Sequence, residues 1–315
     1  MYEYKATINQ SIATEFLIQG FSEFPELQLH LFILFSLLYL MAMLGNLLVF
    51  CIVCADRHLH IPMYFFLANL SILDISSVTV TVPKLLAILL TKNNTISFSA
   101  CFIQMFCYMG CVEIEFTLLT AMAYDRYVAI CNPLRYTIIM NKRICALLAV
   151  VSWVIGFLEA LPHIIITSQF SFCESNVINH FFCEIAAVAK LSSTGASIIE
   201  TITFIESPFS AFAPFLLTLI SYVFIISTIL KICSREGKSK AFSTCSSHLT
   251  VIILLYGSVL GVYMQPWSGP SVKSSKLIIA IYIVTLPLLN PLIYSLRSKE
   301  LNVALKKAIS RKSTW

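Results

Sequence analysis

Seven apolar runs, each long enough to cross a bilayer, divide this chain at residues 29–55, 61–90, 98–130, 144–168, 197–232, 242–264 and 276–296. A hydrocarbon layer about 30 Å thick is crossed by about 20 residues of α-helix. In lipid every backbone polar group must find its partner inside the protein, so runs this long and apolar all round read as helices. Composition agrees, with 58% hydrophobic and 12% charged residues and a mean hydropathy of +0.85. A soluble domain carries about 25% charged residues. So little charge cannot cover a water-facing surface, which excludes a soluble enzyme, a disordered chain and a disulfide-stapled miniprotein. The spans consume most of the 315 residues, leaving little room for a catalytic domain. We expect one all-α membrane domain over 1–315, with an outer tail over 1–28, a bundle over 29–296 and a cytoplasmic tail over 297–315.

Lysine and arginine set the orientation. With the N-terminus outside, most of the 21 basic residues fall on the cytoplasmic side, among them Arg57, Arg126, Arg135, Lys142, Arg143, Lys231, Arg235, Lys238, Lys240, Arg297, Lys306 and Lys307. The net charge of +5 is therefore a topology signal and no sign of nucleic-acid binding. Residues 1–28 lack the basic and apolar regions of a cleaved leader, so the first span is expected to serve as its own insertion signal. Six prolines in or beside the spans (Pro83, Pro162, Pro208, Pro214, Pro287, Pro291) mark helix distortions. No internal repeat points to a transporter of duplicated halves. The eleven cysteines cannot all pair within one chain.

Ionisable residues inside a membrane are costly and mark function by default. The third span holds Glu113 and Glu115, which lie about 200° apart on a helix and so face nearly opposite ways. Asp74 in the second span, Glu115, and Asn290 before Pro291 in the seventh are candidates for an internal ion or proton site; the alternative is helix-to-helix hydrogen bonding. Asp125-Arg126-Tyr127 stands where the third span meets a basic loop. An arginine held there by its neighbour and released when helices part would be a bistable switch.

The surrounding segments carry a resemblance. MAYDRYVAIC at 122–131 with Asn132-Pro133-Leu134-Arg135-Tyr136, PMYFFLANLSILD at 62–74, SKAFSTCSSHL at 239–249 and LNPLIYSLRSKEL at 289–301 resemble the signatures of vertebrate odorant receptors, a rhodopsin-like G-protein-coupled receptor family. Gly45-Asn46, TEFLIQGF at 14–21 and HFFCE at 180–184 fit the same pattern. The resemblance covers nearly the whole chain in order. It implies a seven-helix receptor with a short amphipathic helix after the last span, in the plasma membrane of olfactory neuron cilia. Such a receptor is no enzyme. It would bind a small volatile molecule in the outer half of the bundle and activate a stimulatory olfactory-type G protein, raising cyclic AMP. A sodium ion is the expected guest of any internal site, and no other cofactor is implied.

Several roles follow from the resemblance residue by residue. Cys101 is expected to pair with Cys183. Cys173 matches one half of a second bridge, but Ser193 stands where its partner would be. Asn9-Gln10-Ser11 is the expected glycosylation sequon. Asp125, Arg126, Tyr127, Lys238, Lys240, Asn290, Pro291 and Tyr294 fall in the coupling and switch region, with 231–247 joining the fifth and sixth helices. His180, Cys183 and Glu184 are open to a metal reading, for which a structural role is preferred. The ligand cradle maps to Tyr108, Met109, Val112 and Glu113, then Glu206 and Ser210, then Tyr256, Val259, Leu260 and Tyr263. Helical spacing places 108, 109 and 112 on one face and 206 and 210 on another. Glu113 and Glu206 are unusual in an apolar pocket and would favour amines or strong hydrogen-bond donors; the competing reading is that they are protonated or paired within the protein. Rival readings are a hormone receptor, against which Tyr256 replaces the usual tryptophan of the sixth helix, and a channel or transporter.

Overall fold

The computed structural model describes residues 15–22, 25–91, 93–172, 176–263, 272–297 and 299–311; at 240, 243, 244, 259–263 and several positions near 272–282 and 295–311 it describes the backbone alone. Asn9 and Cys173 lie outside the described residues, as do the side chains of Lys240, Val259, Leu260 and Tyr263. In chain order the elements are β1 (Glu15–Ile18), α1 (Gln28–Ala55), α2 (Pro62–Thr91), β2 (Thr95–Ser97), α3 (Phe98–Cys131), α4 (Tyr136–Ile139), α5 (Lys142–Ser168), β3 (Val177–Ile178), α6 (Ile185–Ala189), α7 (Gly195–Ser207), α8 (Ala213–Lys231), α9 (Arg235–Tyr263), α10 (Val272–Arg297) and α11 (Lys299–Arg311). The first four spans are α1, α2, α3 and α5. The fifth is α7 and α8 joined by a π-helical turn over Pro208–Phe212. The sixth and seventh are α9 and α10, and α11 is the short helix expected after them. Among the described residues, the first five spans are long and apolar enough to cross a membrane, and α9 and α10 carry the shorter apolar stretches Cys245–Ser258 and Ile283–Tyr294.

One boundary differs from the sequence reading. The basic segment 231–247 is no loop, because α9 begins at Arg235 and only residues 232–234 separate it from α8. Glu236, Lys238, Lys240 and Ala241 are good helix formers. Their charge reports the side of the membrane, not the local backbone.

Prolines free carbonyls one turn back, and neighbours satisfy them. Pro291 has no N–H for the Pro287 carbonyl, and the Asn46 amide of α1 donates to that carbonyl at 2.7 Å. Pro208 likewise cannot reach the Phe204 carbonyl, which accepts from the Ser207 hydroxyl at 3.2 Å. Helix contact in lipid depends on close van der Waals fit, and α3 and α5 achieve it at two glycines. A Cβ on Gly156 would sit 2.7 Å from the Ile114 nitrogen and 3.0 Å from the Gly110 oxygen, so only hydrogen fits. Across α2 and α5, the Trp153 indole donates to Asn69 Oδ1 at 3.3 Å.

Candidate functional site

The outer end of the bundle is roofed by a small sheet of order β2-β1-β3, with β1 antiparallel to β2 and parallel to β3. Phe16 and Ile18 of β1 point inward and are fully buried, while Leu17 between them is half-buried. Beneath the sheet Cys101 at the start of α3 is joined to Cys183, as the resemblance implied. Gln104, one turn deeper, donates to the Val80 carbonyl at 2.8 Å and accepts the Cys183 N–H at 2.9 Å, tying α2, α3 and the second outer loop together. Phe21 stacks on Phe181, and Tyr108 meets the edge of Phe182 with centroids 4.8 Å apart.

The loop motif holds no ready metal donor set. Cys183 is committed to sulfur, and the Glu184 carboxylate caps α6 by accepting the Ala187 N–H at 2.8 Å. His180 stacks on Phe181 and meets Phe182 edge-on, with neither ring nitrogen hydrogen-bonded. Burial, helped by the nearby Lys276 charge, pushes this imidazole down to about 3. The unfolded chain therefore binds the extra proton between about pH 6.5 and 3, and stability that is complete above pH 6.5 falls as acid passes through that window. Melting of the solubilised receptor is expected to lose about 1.4 kcal/mol per pH unit below 6.5 from this group. His180→Phe, which keeps the ring stack, should flatten the slope; equal slopes in both proteins would refute the assignment.

The predicted cradle divides. Tyr108 and Val112 line a void with Leu73, Asp74, Ser77, Cys111, Glu115, Ile283, Leu286 and Pro287, between α2, α3 and α10. Met109 packs instead against the outer cluster beneath the disulfide, and Glu113 lies within electrostatic range of α5 and α7. The single face that spacing gave to 108, 109 and 112 thus serves two neighbours, because a buried helix is lined on all sides. Glu206 lies 3.2 Å from His163 Nδ1, Ser210 sits half-buried in the π-helical turn, and the Tyr256 ring packs against Phe116 and Phe215 with centroids 5.3 and 4.9 Å away. Glu159 and His163 are functional candidates that the sequence reading passed over. Their signal was present: two polar residues four apart inside an apolar run.

Asp74 and Asn290 do meet. The Asn290 amide donates to both Asp74 oxygens, at 3.2 and 3.0 Å. Glu115 lines the same void as Asp74, and its Oε1 has no hydrogen-bond partner.

At the cytoplasmic end Arg126 is buried and bound through Nε, at 2.9 Å, and Nη2 to Asp125, and the Tyr136 hydroxyl of α4 donates to the other Asp125 oxygen at 2.8 Å. Tyr127 meets Phe224 of α8 edge-on. Across the gap, the Tyr222 hydroxyl of α8 bonds His248 Nδ1 at 2.9 Å and the Cys245 carbonyl at 3.3 Å, latching the fifth span to the sixth. Tyr294 is buried with its hydroxyl unsatisfied. Lys238 is half-buried on the first turn of α9.

Seven spans roofed by a disulfide-bound loop, with an arginine held at the inner mouth, define a G-protein-coupled receptor bundle. Comparison with known proteins carries this further: the family described as "Olfactory receptor" matches residues 35–312. The chain is 48% identical over 303 residues to "Olfactory receptor 2K2" of Homo sapiens, covering 96% of each protein. It is 45% identical to "Olfactory receptor-like protein OLF3" of Canis lupus familiaris, over 97% of this chain and 96% of that one. With "Olfactory receptor 5AR1" of Mus musculus the identity is 43%, over 96% and 98%. The chain belongs to the olfactory receptor family, and is therefore a multi-pass plasma-membrane receptor that detects odorants through G-protein signalling and is not an enzyme.

Proposed function

We propose that this receptor binds a small volatile ligand in the outer half of the bundle, couples to a stimulatory olfactory-type G protein and raises cyclic AMP, in the cilia of olfactory neurons. One observation carries the reading. Tyr256, Ile252, His248 and Cys245 follow one another down α9 at helical spacing. The first packs its ring among Phe116 and Phe215, and His248 and Cys245 are latched to Tyr222 beside Arg126. A ligand that shifts the Tyr256 rings therefore acts on the helix whose other end closes the switch, and differential affinity for the two positions of α9 is what moves the equilibrium.

A second part of the proposal concerns Asp74, Glu115 and Ser77. Two carboxylates and a hydroxyl around one void are hard oxygen donors, which suits a sodium ion. When bound, the ion would offset the acidic charge between α2, α3 and α10. Glycosylation at Asn9 belongs to the same reading.

The test is a cyclic AMP reporter in cells carrying the receptor with trafficking chaperones, run against amines, acids, aldehydes, esters and ketones. A dose-dependent response that disappears in Arg126→Ala, at equal surface expression, is expected. Silence across the panel with verified surface receptor would overturn this coupling.

A further inference from the structure

The glycine contact between α3 and α5 brings acids together where lipid-buried charge is most costly. Glu113 and Glu159 each stand three residues from that contact, and Glu206 faces them from α7. All three carboxylates lie within electrostatic range of one another. His163, one turn from Glu159 and only 6% exposed, has Nδ1 3.2 Å from Glu206 Oε2 and Nε2 3.4 Å from the Thr203 hydroxyl. This histidine supplies at most one positive charge, so acid remains in excess. Among the described residues no lysine or arginine pairs with any of the three.

The cluster also holds atoms that await a partner. Glu113 Oε2, Glu159 Oε2 and the Tyr256 hydroxyl are buried and make no hydrogen bond, and Tyr256 is within electrostatic range of Glu113. Buried polar atoms are nearly always satisfied in folded proteins, by protein, water or a ligand. Two carboxyl oxygens and a hydroxyl oxygen match in number the three donors of a primary ammonium group, which brings its own positive charge to the acids. Among the described residues no three His, Cys, Asp or Glu side chains are arranged to hold a metal ion. The rings of Phe116 and Phe215 against Tyr256 provide an apolar floor for a carbon chain.

We propose that Glu113, Glu159 and Tyr256, walled by the His163–Glu206 pair, form an ammonium subsite, so that this receptor's ligands are alkyl or arylalkyl primary amines. This rests on the reading that the bundle binds a small ligand, and it adds the ligand's chemical class and two residues, Glu159 and His163, from the fourth span.

The experiment uses the full-length receptor solubilised in detergent and follows its melting with hexylamine and 2-phenylethylamine against hexanol and 2-phenylethanol. Both amines are expected to stabilise the receptor, at concentrations about tenfold or more below those at which the matching alcohols do. Glu113→Gln and Glu159→Gln should each weaken the amine effect about tenfold or more, with Glu113→Asp keeping part of it. Absence of stabilisation by either amine, equal effects of amine and alcohol, or wild-type amine binding in both glutamine variants would overturn the proposal. Where a variant fails to fold, the amine-to-alcohol contrast in the wild type decides alone. The same compounds in the reporter separate the two readings. Amine binding with no reporter response leaves the subsite standing and removes the cyclic AMP coupling; a reporter response confined to neutral odorants does the reverse.

Discussion

Cys183→Ser is expected to reduce surface receptor to near background. The disulfide closes a sequence separation of 82 residues, worth about 4.5 kcal/mol in a chain-entropy account. Helices already inserted in the bilayer restrain the unfolded chain, so that figure is a ceiling for the entropic part. The bond also fixes packing. Cys183 is fully buried, its N–H is held by Gln104, and the adjoining Phe181 and Phe182 fill the gap between α3 and the roof. Loss of the bond is expected to release β3 from β1 and to loosen the packing of Phe16 and Ile18, which the roof presses against the outer ends of α2 and α3. Flow cytometry of an N-terminally tagged receptor, on intact and on permeabilised cells, measures the effect. Cys101→Ser should match Cys183→Ser, and the double variant should be no worse than either, since each single change already removes the whole bond. Cys145→Ser, at a thiol outside any disulfide, is the control. Wild-type surface levels for Cys183→Ser would sink the account.

The sequence shows what lipid dictates and hides what neighbours decide. Span ends predicted at 55, 90, 130 and 168 fall within one residue of the observed helices, because a hydrophobic run ends where the bilayer does. The amide of Asn46 could be read as polar and intramembrane, yet its partner is a carbonyl freed by a proline 245 positions later in the chain. Nothing local encodes that meeting. The roof was missed for a related reason: a four-residue strand alternating Phe16 and Ile18 is too short for its period to stand out, and its partners lie in two separate loops. Glu113 and Glu115 were legible as opposed in direction, and the structure sends Glu115 to Asp74 and Glu113 to the fourth and fifth spans. Glu159 and His163 were legible too, since their charge stands out in an apolar run; what the sequence withheld was Gly156, whose missing side chain lets that run touch α3.

Asp125→Asn is expected to raise ligand-free signalling severalfold per surface receptor. In the closed arrangement Asp125 is fully buried and Arg126 only 7% exposed, so the guanidinium depends on one carboxylate for its compensation. Removing one partner of a buried ion pair costs about 3–5 kcal/mol, because the other charge is left uncompensated. The asparagine keeps the shape and can still accept from Tyr136, so the change removes charge with little loss of packing. Arg126 escapes that cost by swinging toward the cytoplasm, which requires the sixth span to give way where Tyr222 holds His248 and Cys245. The cost therefore falls on the closed state alone, and each 1.4 kcal/mol of it shifts the closed-to-open ratio about tenfold. Tyr136→Phe takes away only the hydroxyl that steadies Asp125 and should raise the basal level by less. Since both changes act on one carboxylate, the double variant should fall short of the combined effect. Reporter output without ligand, divided by surface receptor, tests the order: Asp125→Asn above Tyr136→Phe above wild type. A basal level unchanged in Asp125→Asn would mean that the pair holds Arg126 in place without restraining the switch, and that the Tyr222–His248 latch keeps the bundle closed by itself.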